Sequence, residues 1–235
     1  MLTPSDQGYN LTKLIKQGKA TMNSDFKQIA EWIDKTYGVK TMNIIYDTID
    51  NETRPRLNVI FEKHSDEEIF RSKLGFDKVK QHKIALQFKK TLIVQGLTKK
   101  KTIWSSFSSN DSDKYKTKNI WIIFSAFEPI AKIESYRSIS TDEIQGLMLS
   151  LNMSDLWEIH KNIYDTATFF LYTDKQIEKY SKNGEKEILI EKYFELLKKY
   201  DEFDYLKKEE VSIQFDSKEN FDNYYKGSWF NYDIR

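Results

Sequence analysis

The chain of 235 residues contains no cysteine, only three prolines, eight glycines and three histidines. Without thiols, disulfide scaffolds, thiolate catalysis and thiolate-bound metals are excluded. The glycines are isolated, and no phosphate-cradling loop, nucleophile elbow or dinucleotide fingerprint can be assembled from them. Charge of one sign is also lacking, because 37 Lys and Arg face 36 Asp and Glu, a formal net charge of +1. There is therefore no uniform electrostatic pull toward nucleic acid or anionic lipid, although a local patch stays open. The most apolar run, IWIIFSAF at 120–127, is far short of the ~20 residues of a membrane-spanning helix. The opening MLTPSDQGYN has no basic stretch followed by an apolar one, so no signal peptide is expected and the cytoplasm is the default location.

What is present is aromatic. Fifteen Phe, fourteen Tyr and five Trp offset a modest 39% share of hydrophobic residues, since each buried ring removes about 150–250 Å² from water. A folded core without staples follows. The excess of Lys, Asn, Ile, Tyr and Asp over Ala, Gly and Pro fits an AT-rich, bacterial coding genome.

Residues 1–22 are polar and weakly patterned and are expected to wrap the surface or fray. Ser24 as N-cap, Phe26, Ile29, Ala30, Ile33 and Tyr37 at helical spacing, and Gly38 as stop predict a helix. VKTMNIIYDTI (39–49) and RLNVIFE (56–62), joined by Asp50, Asn51 and Pro55, predict a hairpin. SDEEIFRSKLG carries a capping box at Ser65 and Glu68, with Gly75 ending a short helix. KIALQF and TLIVQ, over 83–95, alternate as a kinked strand, and 102–108 and 119–127 form another strand pair. Ser140 with Glu143 opens a helix from Thr141, a shorter helix is expected at 155–162, and ATFFLY (167–172) is a strand. Thr173 with Gln176 caps a helix that Asn183 and Gly184 close. Residues 185–200 form the strongest helix, with Ile188, Leu189, Phe194, Leu197 and Tyr200 inward. VSIQF (211–215) is a strand, Ser217 caps another helix that Gly227 stops, and WFNYDI is a final strand. In that last strand Phe230, Tyr232 and Ile234 form the core face.

These elements predict an α+β fold. Its sheet is antiparallel or mixed, built from hairpins, with helices mainly on one face. The expected organisation is a polar segment 1–22 and two lobes, 23–130 and 140–235, which one continuous domain could equally contain. A strand followed by a capped helix recurs at NVIF, ATFFLY and VSIQF, and the tags IYDT and LQF/IQF recur at offsets of 118 and 127 residues. Two readings stay open: a weak internal duplication of an α-β-β-α-β unit with drifting register, or a pattern that any capped strand-to-helix joint produces.

Chemistry-bearing clusters are few. EKHSDEE gathers Glu62, His64, Asp66, Glu67 and Glu68, and YDTIDNE gathers Asp47, Asp50 and Glu52. Acids in a first helical turn and acids in a turn explain both more simply than a metal or acid–base site does. No cofactor and no metal are expected. The sharpest electrostatic feature runs from Arg71 to Lys101, with ten basic residues against one acid, Asp77. Within it, just after it and at the C-terminus, Lys89, Lys90, Lys99, Lys100, Lys101, Trp104, Tyr224 and Trp229 are the candidate partner-binding residues. Lysines there suit an acidic protein, or phosphates with an aromatic stacking on a base.

The resulting expectation is a non-catalytic cytoplasmic protein-interaction module with a protein partner of unidentified kind. An immunity or antitoxin protein is one concrete version, by analogy of architecture alone. The alternatives are a nucleic-acid-binding protein using 78–104, or an enzyme whose site assembles only in three dimensions around His64 or His160. Homo-oligomerisation is open, and no membrane partner is expected.

Overall fold

A computed structural model describes residues 3–51, 53–98, 113–162, 166–182, 184–211 and 213–234. The chain separates into two compact units, 1–130 and 131–235. Each contains a three-stranded mixed sheet, so the fold class is α+β.

In the first unit, α1 (Gln7–Lys16) buries Tyr9 and Thr12. Tyr9 stacks on Phe127 at 5.1 Å, so the N-terminal segment is a packed helix and not a surface wrap. Asn23, rather than Ser24, supplies the cap, its side chain accepting from the Asp25 N–H at 3.1 Å. Helix α2 (Lys27–Tyr37) follows and ends at Gly38, whose φ of 68° suits the left-handed C-terminal stop. Strands β1 (Thr41–Ile49) and β2 (Arg54–Phe61) pair antiparallel across Asp50 and Asn51, which hold φ of 54° and 53°. Successive positive φ at Asp and Asn matches the twist of a tight hairpin.

The predicted box at Ser65 does not form. Helix α3 (His64–Glu68) starts from Lys63 with no side-chain cap. Gly75 lies instead in a small ribbon, β3 (Arg71–Ser72) and β4 (Gly75–Phe76). The expected strands over 83–95 are a single helix, α4 (Lys78–Val94), capped by Asp77, which accepts from the Val79 and Lys80 N–H groups. Ile84, Phe88, Thr91 and Leu92 form its buried stripe, a helical spacing that overrides the six-residue alternation. The expected strand 102–108 lies outside the described residues. Strand β5 (Trp121–Ala126) adds to β2 in parallel, which the α3–α4 crossover makes possible. Ile44, Leu57, Val59, Phe61, Ile122 and Phe124 then pack against α2 and α4, while α1 meets the other face, where buried Asn43 donates to Thr12 Oγ1 at 3.1 Å.

The division between units falls within α5 (Phe127–Ser138). The second unit continues with α6 (Thr141–Leu151), which has the full Ser140–Glu143 capping box and Asn152 as a left-handed stop. Residues 156–161, expected as helix, are strand β6 (Leu156–Lys161), antiparallel to β7 (Ala167–Leu171). Helices α7 (Asp174–Lys182) and α8 (Glu185–Lys198) lead to β8 (Ile213–Ser217), parallel to β7. Leu189, Tyr193, Leu196 and Leu197 are the buried stripe of α8, whereas Ile188 is 59% exposed. Then come α9 (Lys218–Tyr225), capped by Ser217, and α10 (Trp229–Asp233), capped by Ser228. The C-terminal six residues are thus a helical turn and not a strand. Trp229 and Tyr232 turn inward, and Phe230 and Ile234 lie exposed.

The two units repeat one design. Both run helix, hairpin, two crossover helices, parallel third strand, helix. Both first strands carry a register irregularity after the first residue, Thr41 and Leu156. Loose backbone groups are tied off identically. Glu62 N–H donates to Lys40 O, and Tyr172 N–H to Asp155 O. Glu128 N–H donates to Glu62 O, and Glu219 N–H to Tyr172 O. The side chains of Glu128 and Glu219 accept from the first N–H of α3 and α7, at 3.2 and 3.4 Å. A carboxylate at that point meets free N–H groups and the positive end of the helix.

Candidate functional site

Three places concentrate polar chemistry, and the first is α4. From Lys78 to Thr98 there is no carboxylate, while Lys78, Lys80, Lys83, Lys89 and Lys90 all belong to the helix. Its inner stripe is spent on the core and Gln81 donates to Ile122 O at 2.5 Å, while the opposite face is exposed. Val79, Leu86 and Val94 are 76%, 55% and 74% exposed. Lys83 falls between the first two and Lys90 between the last two, at steps of three and four residues that share one helix face. The result is an apolar stripe punctuated by ammonium groups. Lys89 and Lys90 are exposed, and Lys89 also lines a cleft of about 1320 Å³ with Arg54, Lys116, Lys118, Asp50 and Asp113. Lys99, Lys100, Lys101 and Trp104 lie outside the described residues.

The second is the EKHSDEE joint, which resolves into ion pairs. Glu62 lies between Lys16 and Lys40. Burial raises its carboxyl, but hydrogen bonds and charge from both lysines outweigh that and bring the pKa to about 2. Glu67 is buried and takes Arg71 and, at 3.3 Å, His64 Nδ1. Asp47 pairs with Arg56 across the hairpin. Among the described residues no three His, Asp or Glu side chains converge to hold a metal ion.

The third was only half visible in sequence. His160 Nε2 meets Asp233 Oδ1 at 2.8 Å, and its ring stacks on Trp229 at 4.0 Å. Trp229 also lies parallel to Trp157 at 5.9 Å and contacts Phe170 and Phe221. Tyr232 donates to Asp216, which is buried. Glu158, on the same strand as His160, has its carboxyl raised by burial, partly offset by His160. Trp229 is therefore committed to holding α10 on the sheet, whereas Tyr224 is 80% exposed. The partners of His160 are some seventy positions away in sequence, and only the aromatic density at the C-terminus signalled them.

No helix of the described residues is long and apolar enough to cross a membrane. No protein-family model, curated protein or solved structure matches the chain, so its function is read from these surfaces alone.

Proposed function

We propose that the protein is a non-catalytic interaction module of the cytoplasm, immunity or antitoxin proteins being its concrete type, which binds an acidic protein through the outer face of α4. One observation carries the reading: three exposed apolar side chains alternate with lysines along a 17-residue helix that has no carboxylate. Exposed apolar groups in a row supply the desolvated centre of an interface. The lysines between them steer a partner of opposite charge and reject basic ones. Two acids of the EKHSDEE joint fit the same reading, since Glu62 and Glu67 are held in ion pairs.

The test compares purification from native cells with a Leu86→Asp, Lys90→Glu double variant. The expected result is a co-eluting acidic chain at low salt whose recovery falls about tenfold or more in the variant. Free monomer alone under gentle conditions, or a co-eluting chain indifferent to the variant, overturns the reading. Nucleic acid is tested in parallel by gel shift at about 50 and 200 mM salt, where phosphate contacts would show a steep loss.

A further inference from the structure

Because the units repeat one design, the core positions of matched helices can be paired between them. Helices α2 and α6 both span eleven residues and end on a left-handed stop, Gly38 and Asn152. Their inward residues correspond, Ala30 and Ile33 to Ile144 and Leu147. The buried stripes of α4 and α8 have the same spacing, so Ile84, Phe88, Thr91 and Leu92 correspond to Leu189, Tyr193, Leu196 and Leu197. In this alignment Trp32 of the first unit corresponds to Gly146 of the second, and Lys83 to Ile188.

The consequence is a vacancy. In the first unit the Trp32 indole is half-buried against the core, edge-on to Tyr37 at 6.1 Å, with the Lys83 ammonium 5.8 Å from its centroid. In the second unit a cleft of about 780 Å³ opens between α6 and α8, with Gly146, Leu147, Leu151, Ile188 and Leu196 as its apolar lining and Asp142, Glu143, Glu195, Lys192 and Lys199 as its charged lining, Lys192 pairing with Glu195 at 2.8 Å. A glycine inside a helix is a destabilising choice. Nothing in the fold demands it here: Gly146 has no positive φ, and a Cβ added there would meet nothing within 4 Å.

We propose that the α6–α8 cleft is a docking site for an aromatic side chain, tryptophan first, presented by a partner polypeptide. The incoming ring takes the place that Trp32 fills in the first unit, with the Gly146 backbone allowing close approach. Ile188 and Leu151 pack its faces. This site is separate from the α4 face and stands or falls independently of it.

The test is amide NMR of the full chain with N-acetyl-tryptophanamide, and with N-acetyl-leucinamide as control. At about 10 mM, the regime of a single-ring ligand, the tryptophan compound should shift amides in 142–151 and 188–199. The leucine compound should shift them several-fold less. Gly146→Trp, which rebuilds the first unit's arrangement, should abolish the response, and Gly146→Ala should keep it. Ile188→Asp, at an exposed position, serves as a second blocking variant if Gly146→Trp does not fold. Absence of shifts in those segments, equal response to the leucine compound, or an undiminished response in the blocking variant overturns the proposal.

Discussion

Glu62 follows β2 directly, and its carboxylate lies between two ammonium groups, Lys16 from α1 and Lys40 ahead of β1. Its pKa of about 2 in the folded protein lies below the ordinary value of 4.5. The group therefore binds its proton more weakly folded than unfolded, and it adds stability at every pH above 4.5. That contribution is lost as pH falls from 4.5 through about 2. Lys40 is 69% exposed, so solvent screens much of its share, and about 1–2 kcal/mol is the expected size. Glu62→Gln should lower urea stability by that amount at pH 7. At pH 2.5 the two proteins should differ by much less, because the parent has by then lost most of this contribution. Equal stability at pH 7 would show that the pair contributes nothing. The sequence displayed Glu62 as one acid of a crowded joint. It could not display the lysines, which arrive from a helix and a strand end that are remote in the chain.

At the scale of elements, residues 83–95 and 156–161 mislead for one physical reason, which is that short windows confuse the two periodicities. KIALQF alternates over six residues, yet Ile84, Phe88, Thr91 and Leu92 are the positions buried. Only a window of about eleven or more residues separates the patterns. Strand β6 misleads in the opposite way. Its inward residues Leu156 and Ile159 are three apart because the register slips between Leu156 and Glu158, so a strand imitates helical spacing. Capping residues were more legible but not uniformly so. Ser140, Thr173 and Ser217 serve as read, whereas Ser65 does not and Asp77 was taken for an isolated acid. Substitution distinguishes them: Asp77→Ala and Ser140→Ala should each cost about 1 kcal/mol, and Ser65→Ala should stay within about 0.5 kcal/mol. Chemical denaturation of the three variants checks this, and a Ser65→Ala cost equal to the others would contradict the cap assignment. The basic run 71–101 was likewise plain as composition. Only recognising a helix turns Lys83, Leu86 and Lys90 into one face.

For the whole molecule, the repeat is what sequence came nearest to and still missed in detail. The joints NVIF and ATFFLY were paired correctly, since β2 and β7 are counterparts, and VSIQF belongs to the strand that answers β5. The tag LQF/IQF is a coincidence, since LQF lies in α4 and IQF in β8, and most of the second IYDT lies outside the described residues. Register drifts because elements and connections both differ in length: α4 has 17 residues against 14 in α8, and the crossover from α4 to β5 is longer than that from α8 to β8. The repeat also orders the sheets by stability. In each, the middle strand, β2 or β7, is hydrogen-bonded on both sides, whereas β1, β5, β6 and β8 each have one strand partner among the described residues. Central-strand amides exchange only when a neighbour has first been lost, so local opening is costliest there. Hydrogen exchange followed by NMR should find the slowest amides among Leu57–Phe61 and Ala167–Leu171, in both units alike. Amides of β5 or β8 that outlast them would mean that the parallel edge strands are not the edges of these sheets. The match of Trp32 with Gly146 stands apart from that outcome, because it rests on the equal lengths of α2 and α6 and on the shared stripe spacing of α4 and α8.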